Sequence, residues 1–154
     1  MNNSYRVGLI LSLTLSCLIS ATIPSIAHGA GWSAAASMNS PRYQHTATRL
    51  PTGKVLVTGG YSYDPSYLGY ITVASAELYD PASATWSNAG KMAFAHSGHT
   101  ATLLPNGNVL VVGGYELNSV ELYNPAKNIW TNARSMASGR AMHTATLLPS
   151  RTRT

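Results

Sequence analysis

Cysteine occurs once in the 154 residues, as Cys17. A single thiol excludes a disulfide framework and a cysteine-rich zinc finger. Charge is scarce: Asp, Glu, Lys and Arg make up 10% of the chain, against roughly 25% in ordinary soluble proteins. No basic run has the density of a nucleic-acid footprint, so no nucleic-acid partner is expected. Beyond residue 30 the acids are Asp64, Glu77, Asp80, Glu116 and Glu121, and nothing singles out two of them as the paired carboxylates that glycoside hydrolysis requires. A serine-centred nucleophile motif, a phosphate-cradling loop and a sustained 3.6-residue apolar period are all missing. Catalysis and helical architecture are therefore not expected, and no cofactor is.

What is present is 45% apolar residues with 13 Gly, 8 Pro and 9 Tyr. This is too apolar for a disordered chain and rich in residues that favour strands and turns. Residues 1–29 read as a secretory signal. Arg6 supplies a positive start, residues 7–23 are mainly apolar, and small residues follow near Ala27 and Gly29. Cleavage after either would start the mature chain near His28 to Gly31, without cysteine. An uncleaved anchor is the alternative, but 17 residues fall short of the roughly 20 needed to span a bilayer. Lipidation at Cys17 is disfavoured by Thr14 three residues before it and by the apolar run continuing past it. Loss of Arg6 leaves nine Lys and Arg (10 minus 1) against five acids. The expectation is a secreted, periplasmic or surface protein that meets a membrane only during export.

Residues 30–149 repeat. The text His45-Thr-Ala-Thr-Arg-Leu-Pro-Thr-Gly-Lys-Val-Leu-Val-Thr-Gly-Gly60 returns as His99-Thr-Ala-Thr-Leu-Leu-Pro-Asn-Gly-Asn-Val-Leu-Val-Val-Gly-Gly114, and a third copy opens at His143. Glu77-Leu-Tyr-Asp-Pro81 returns as Glu121-Leu-Tyr-Asn-Pro125. Trp32, Trp86 and Trp130 are spaced 54 and 44 apart, as are Met38, Met92 and Met136. Units near residues 43–90 and 97–134, with a third beginning about 141, fit a blade-sized period. The first unit carries a ten-residue insertion, since 16 residues separate Gly60 from Glu77 but six separate Gly114 from Glu121.

Each unit predicts four short strands. In the second they fall at residues 99–104, 109–112, 120–123 and 129–131. Pro105-Asn106-Gly107 forms a tight turn between the first two. The unalternating run Val109 to Val112 predicts a strand buried on both faces. Gly113 and Gly114 end it where a side chain would obstruct. Thin antiparallel sheets of this kind exclude water only by stacking on one another. Tyr79 with Trp86, and Tyr123 with Trp130, are then packing residues between neighbouring sheets, in preference to a carbohydrate-stacking role.

The doublets Gly59-Gly60 and Gly113-Gly114, the Glu-Leu-Tyr-Asp/Asn-Pro text and the tryptophans that follow it resemble the kelch repeat family, in its secreted bacterial type like the central domain of galactose oxidase. The resemblance implies an all-β fold, a kelch-type β-propeller. The strand count is a fourth strand near Trp32, two complete blades and a first strand at residues 143–148, so the propeller is incomplete. After Pro149 the repeat text gives way to a non-repeat tail at residues 150–154. A fragment, a truncated product or one piece of an assembly is expected, with open blade edges that invite self-association. The copper and cysteine-modified tyrosine of galactose oxidase are not carried over, because no cysteine follows residue 17.

His45, His99 and His143 occupy one position in successive units. Either they line a channel that binds a metal or, more economically, each is a hydrogen-bonding group of its own blade. Arg42 and Arg140 precede a repeat histidine by three residues, and His96 stands at that place in the second unit. The insertion, residues 61–74, breaks the repeat and contains Tyr61, Tyr63, Tyr67 and Tyr70. Loops on rigid scaffolds carry recognition, and tyrosine offers contact area at small entropic cost. A ligand face of Tyr63, Tyr67, Tyr70, Arg42 and His96 is expected, set against an insertion that merely packs on itself. The overall expectation is an exported binding module for a protein or a carbohydrate. The alternative is a non-catalytic piece of a carbohydrate-active or galactose oxidase-like enzyme.

Overall fold

A computed structural model describes residues 34–148. The expected signal segment, Trp32 and the tail lie outside these residues. The described chain is all strand and turn, in the order β1 (Thr46–Arg49), β2 (Val55–Thr58), β3 (Tyr61–Asp64), β4 (Gly69–Thr72), β5 (Ser75–Asp80), β6 (Thr85–Lys91), β7 (Thr100–Leu103), β8 (Val109–Val112), β9 (Val120–Asn124) and β10 (Ile129–Ala133).

Two antiparallel four-stranded sheets account for the repeat. One runs β1-β2-β5-β6 and the other β7-β8-β9-β10. Their registers coincide: Val57 faces Glu77 as Val111 faces Glu121, and Val55 faces Tyr79 as Val109 faces Tyr123. The inner hairpins match too. Gly53 and Gly107 both take positive φ, and their amides donate to Leu50 O and Leu104 O at 2.9 Å. Only glycine enters that conformation freely, so Pro-x-Gly fixes the register of each first pair.

The core lies between the two sheets. Leu56, Ala76 and Ala89 of the first cluster with Val109, Val111 and Tyr123 of the second, with Leu50 and Met92 completing the group. Burial on both faces holds for β2, where Leu56, Val57 and Thr58 are all buried. It does not hold for β8: Val109 and Val111 are buried, while the alternate residues Leu110 and Val112 are half-buried. The β8 side chains that join the inter-sheet core are covered, and those pointing to the opposite face are only partly so.

Two strand expectations change. Residues 143–148 repeat the text of β7 yet form no strand. In both complete units the first strand pairs only with the second, and residues 143–148 meet no such partner among the described residues. The insertion, in turn, is no irregular loop. It is the hairpin β3–β4, a separate two-stranded sheet.

Candidate functional site

Each unit fastens the link entering it onto one glutamate. Glu77 Oε2 accepts the Asn39 amide at 2.8 Å and Oε1 the Ser40 amide at 3.1 Å. One unit on, Glu121 accepts the amides of Ala93 at 2.8 Å and Phe94 at 3.0 Å. Asn39 Nδ2 also donates to Glu77 Oε2 at 2.9 Å, and one further side chain completes each clamp. Arg42 Nη2 donates to Glu77 Oε1 at 2.8 Å, and its Nη1 to the carbonyls of Gly59 and Ser75. His96 Nε2 lies 3.0 Å from Glu121 Oε1, and its Nδ1 contacts the Gly113 carbonyl oxygen.

Arg42 is 6% exposed and His96 0%. The structure therefore does not bring them to the tyrosine surface that their sequence positions proposed. The Arg42 guanidinium and the His96 imidazole are spent on carboxylates and carbonyls inside the fold. The signal that could have placed them is the repeat itself, since each recurs with a glutamate at a fixed place in its unit. Arg140, the third-unit counterpart, is exposed and reaches only Ser138 Oγ.

The glycine doublets lie where one unit meets the next. A Cβ on Gly59 would stand 2.3 Å from His96 O, and one on Gly113 2.5 Å from Arg140 O. The amide of Gly60 donates to His96 O at 2.7 Å and that of Gly114 to Arg140 O at 2.9 Å. The tryptophans span the same junction. Trp86 and Trp130 pack at a tilt against their cross-strand partners Tyr79 and Tyr123, with centroids 5.0 and 4.9 Å apart. Trp130 Nε1 then donates to Ala89 O in the preceding sheet, and Trp86 Nε1 to Ala36 O. Each pair thus packs within its own blade and reaches back to the unit before.

His99 Nε2 shares hydrogen bonds with Thr46 Oγ1 at 2.9 Å and Thr58 Oγ1 at 3.0 Å, both in the first sheet. His143 Nε2 repeats the contact with Thr100 Oγ1 at 3.2 Å. Burial pushes the His99 imidazole down to about 3, with His96, His45 and His143 adding repulsion. Burial also lowers His45, helped by the Arg42 charge. Gln44, Gly98 and Met142, which precede the three histidines, all take positive φ. Together with His45, His99 and His143 they line a cleft of about 320 Å³. No group of three His, Cys, Asp or Glu among the described residues stands close enough to hold a metal ion.

The exposed chemistry is aromatic. In the β3–β4 hairpin Tyr63 faces Tyr70 across the strands and Tyr61 faces Thr72, so these four side chains share one side. Ser62, on the other side, is buried and its Oγ lies 3.2 Å from Ser40 Oγ. That contact, with the Tyr43–Tyr61 backbone pair, roots the hairpin on the link. Tyr43 stacks on Tyr61 at 5.3 Å and 23°, Tyr70 stands edge-on to Tyr43 at 5.3 Å, and Tyr63 edge-on to Tyr70 at 5.6 Å. Tyr63 is 52%, Tyr70 62% and Tyr67 75% exposed. The structure thus joins Tyr63 to Tyr70 and adds Tyr43 and Tyr61, while Tyr67 sits at the hairpin tip. Tyr43 was missed because it precedes the insertion in sequence and joins it through a backbone bridge and ring contacts that exist only in the fold.

Comparison with known proteins points one way. The Kelch motif family model matches residues 98–137. No curated protein matches the chain. Among solved structures, that of YjhT is similar with a TM-score of 0.62 and 18% sequence identity, over 72% of this chain and 43% of YjhT. The chain thus spans less than half the length of that protein, and the likeness is one of fold.

Proposed function

We infer that this chain, whose residues 98–137 match the Kelch motif and whose fold is similar to that of YjhT, is an exported recognition module that captures a protein or a glycan on the tyrosine face. Kelch repeats serve as interaction modules, and here two blades form the rigid support. The observation that carries the reading is the row Tyr43, Tyr61, Tyr70 and Tyr63, linked by ring contacts, with Tyr43, Tyr63 and Tyr70 open to solvent and Tyr61 half-buried. Rings that brace one another lose little freedom on binding, so contact area converts to affinity at reduced entropic cost. Tyrosine also offers a hydroxyl beside an apolar face, which suits sugars and polypeptides alike.

The test is selection on two panels, an oligosaccharide array and a displayed peptide library, with the native chain and the Tyr63→Ala/Tyr70→Ala variant. Ligands selected by the native chain are expected to lose at least tenfold in affinity for the variant. Unchanged binding of the best ligands from both panels overturns the reading. Export is tested separately by sequencing the N-terminus of secreted product. A start near His28 to Gly31 supports it and a start at Met1 does not.

A further inference from the structure

The two clamps differ in one chemical respect. Arg42 fills the first with a guanidinium, which does not lose its charge in proteins. His96 fills the second with a group whose charge depends on a proton. Its two ring nitrogens face the Gly113 carbonyl and the Glu121 carboxylate. A neutral imidazole carries one N–H. A carbonyl accepts only, so Nδ1 must carry a hydrogen. Nε2 faces Glu121 Oε1, so one further proton must lie between His96 and Glu121, or two lone pairs would confront each other in a buried site.

Glu121 already accepts two backbone amides, and hydrogen bonds of that kind favour the charged carboxylate. The same position one unit earlier holds a permanent cation bound to the equivalent carboxylate and carbonyl. We infer that His96 is held in the fold as an imidazolium, a proton-dependent substitute for arginine in the clamp that joins the second unit to its entering link.

The neighbours agree with that state. Besides Glu121 on β9, the titratable group against His96 is His99, whose ring centroid is 5.6 Å away. His99 is kept neutral by burial and so adds no second positive charge. His45 and His143 lie beyond it as further neighbours of His99. The carbonyl of His96 accepts the Gly60 amide, so the clamp sits at the seam between units. Withdrawal of the proton would leave one buried oxygen facing a lone pair and Glu121 without its counter-charge. The inference stands independently of what the tyrosines bind.

The test is ring nitrogen NMR on the full chain with labelled histidine at neutral pH. Both nitrogens of His96 are expected to be of the protonated type, each coupled to a hydrogen. An unprotonated Nε2 would place the proton on Glu121 and overturn the inference. Variants give a second readout. His96→Arg should retain the native thermal midpoint, whereas His96→Gln should lower the midpoint by about 5–10 °C. A His96→Gln chain as stable as the native one at every pH also overturns the inference. The NMR result stands on the native protein even if a variant fails to fold.

Discussion

Single residues fix where one unit ends and the next begins. Gly59 has φ +60° and its Cβ direction is occupied by the His96 carbonyl. Gly53 has φ +88° but open space around it. Both tolerate alanine poorly on conformational grounds, but only Gly59 adds a backbone collision. Gly53→Ala is expected to cost about 1 kcal/mol and Gly59→Ala about 2–4 kcal/mol, measured by urea unfolding. His99 sets an acid limit. Its folded value of about 3 lies below the ordinary 6.5, so between these values the unfolded chain binds the proton and the folded one does not. The stability held above pH 6.5 is therefore lost as pH falls towards 3, by up to about 1.4 kcal/mol per pH unit. Thermal midpoints of the native chain and a His99→Gln variant across that window check this, with a flatter acid limb expected for the variant.

At the scale of elements, the hairpin β3–β4 pairs strand to strand only with itself. Deleting residues 62–71 should leave the strand signal in circular dichroism nearly unchanged and remove binding to ligands selected by the tyrosine face. The blades were legible in the sequence because their text occurs twice: glycine doublet, Glu-Leu-Tyr and tryptophan recur in one order, and coincident registers follow. The hairpin was less legible because an insertion occurs once and has no second copy to compare. Arg42 and His96 were misplaced for a different reason. Their burial depends on Glu77 and Glu121, which lie 35 and 25 residues away, and a charge on a link looks solvated until its distant partner is known. Residues 143–148 show the converse. Their text is that of β7, but a strand is a property of a pair, so identical sequence gives strand in one place and none in the other.

For the whole molecule, the second sheet has a well-covered side and a poorly covered one. Leu110 and Val112 are half-buried, and Met142, Leu147 and Leu148 are 61%, 49% and 78% exposed. Apolar surface of this kind favours association. Light scattering of purified chain is expected to show a mass that grows with concentration, and Leu147→Ser/Leu148→Ser should reduce that growth. A monodisperse monomer across the range would count against it.

The Gly98 amide donates to Gln44 O, and the Met142 amide donates to Gly98 O. At both junctions among the described residues one unit hands the next the equivalent acceptor, so the pattern works as a rule for extension. Adding a module along the open arc would need no new geometry, and each new junction should add stability until the ring closes. Such a gene can lengthen or shorten by recombination while each product keeps the same local instructions.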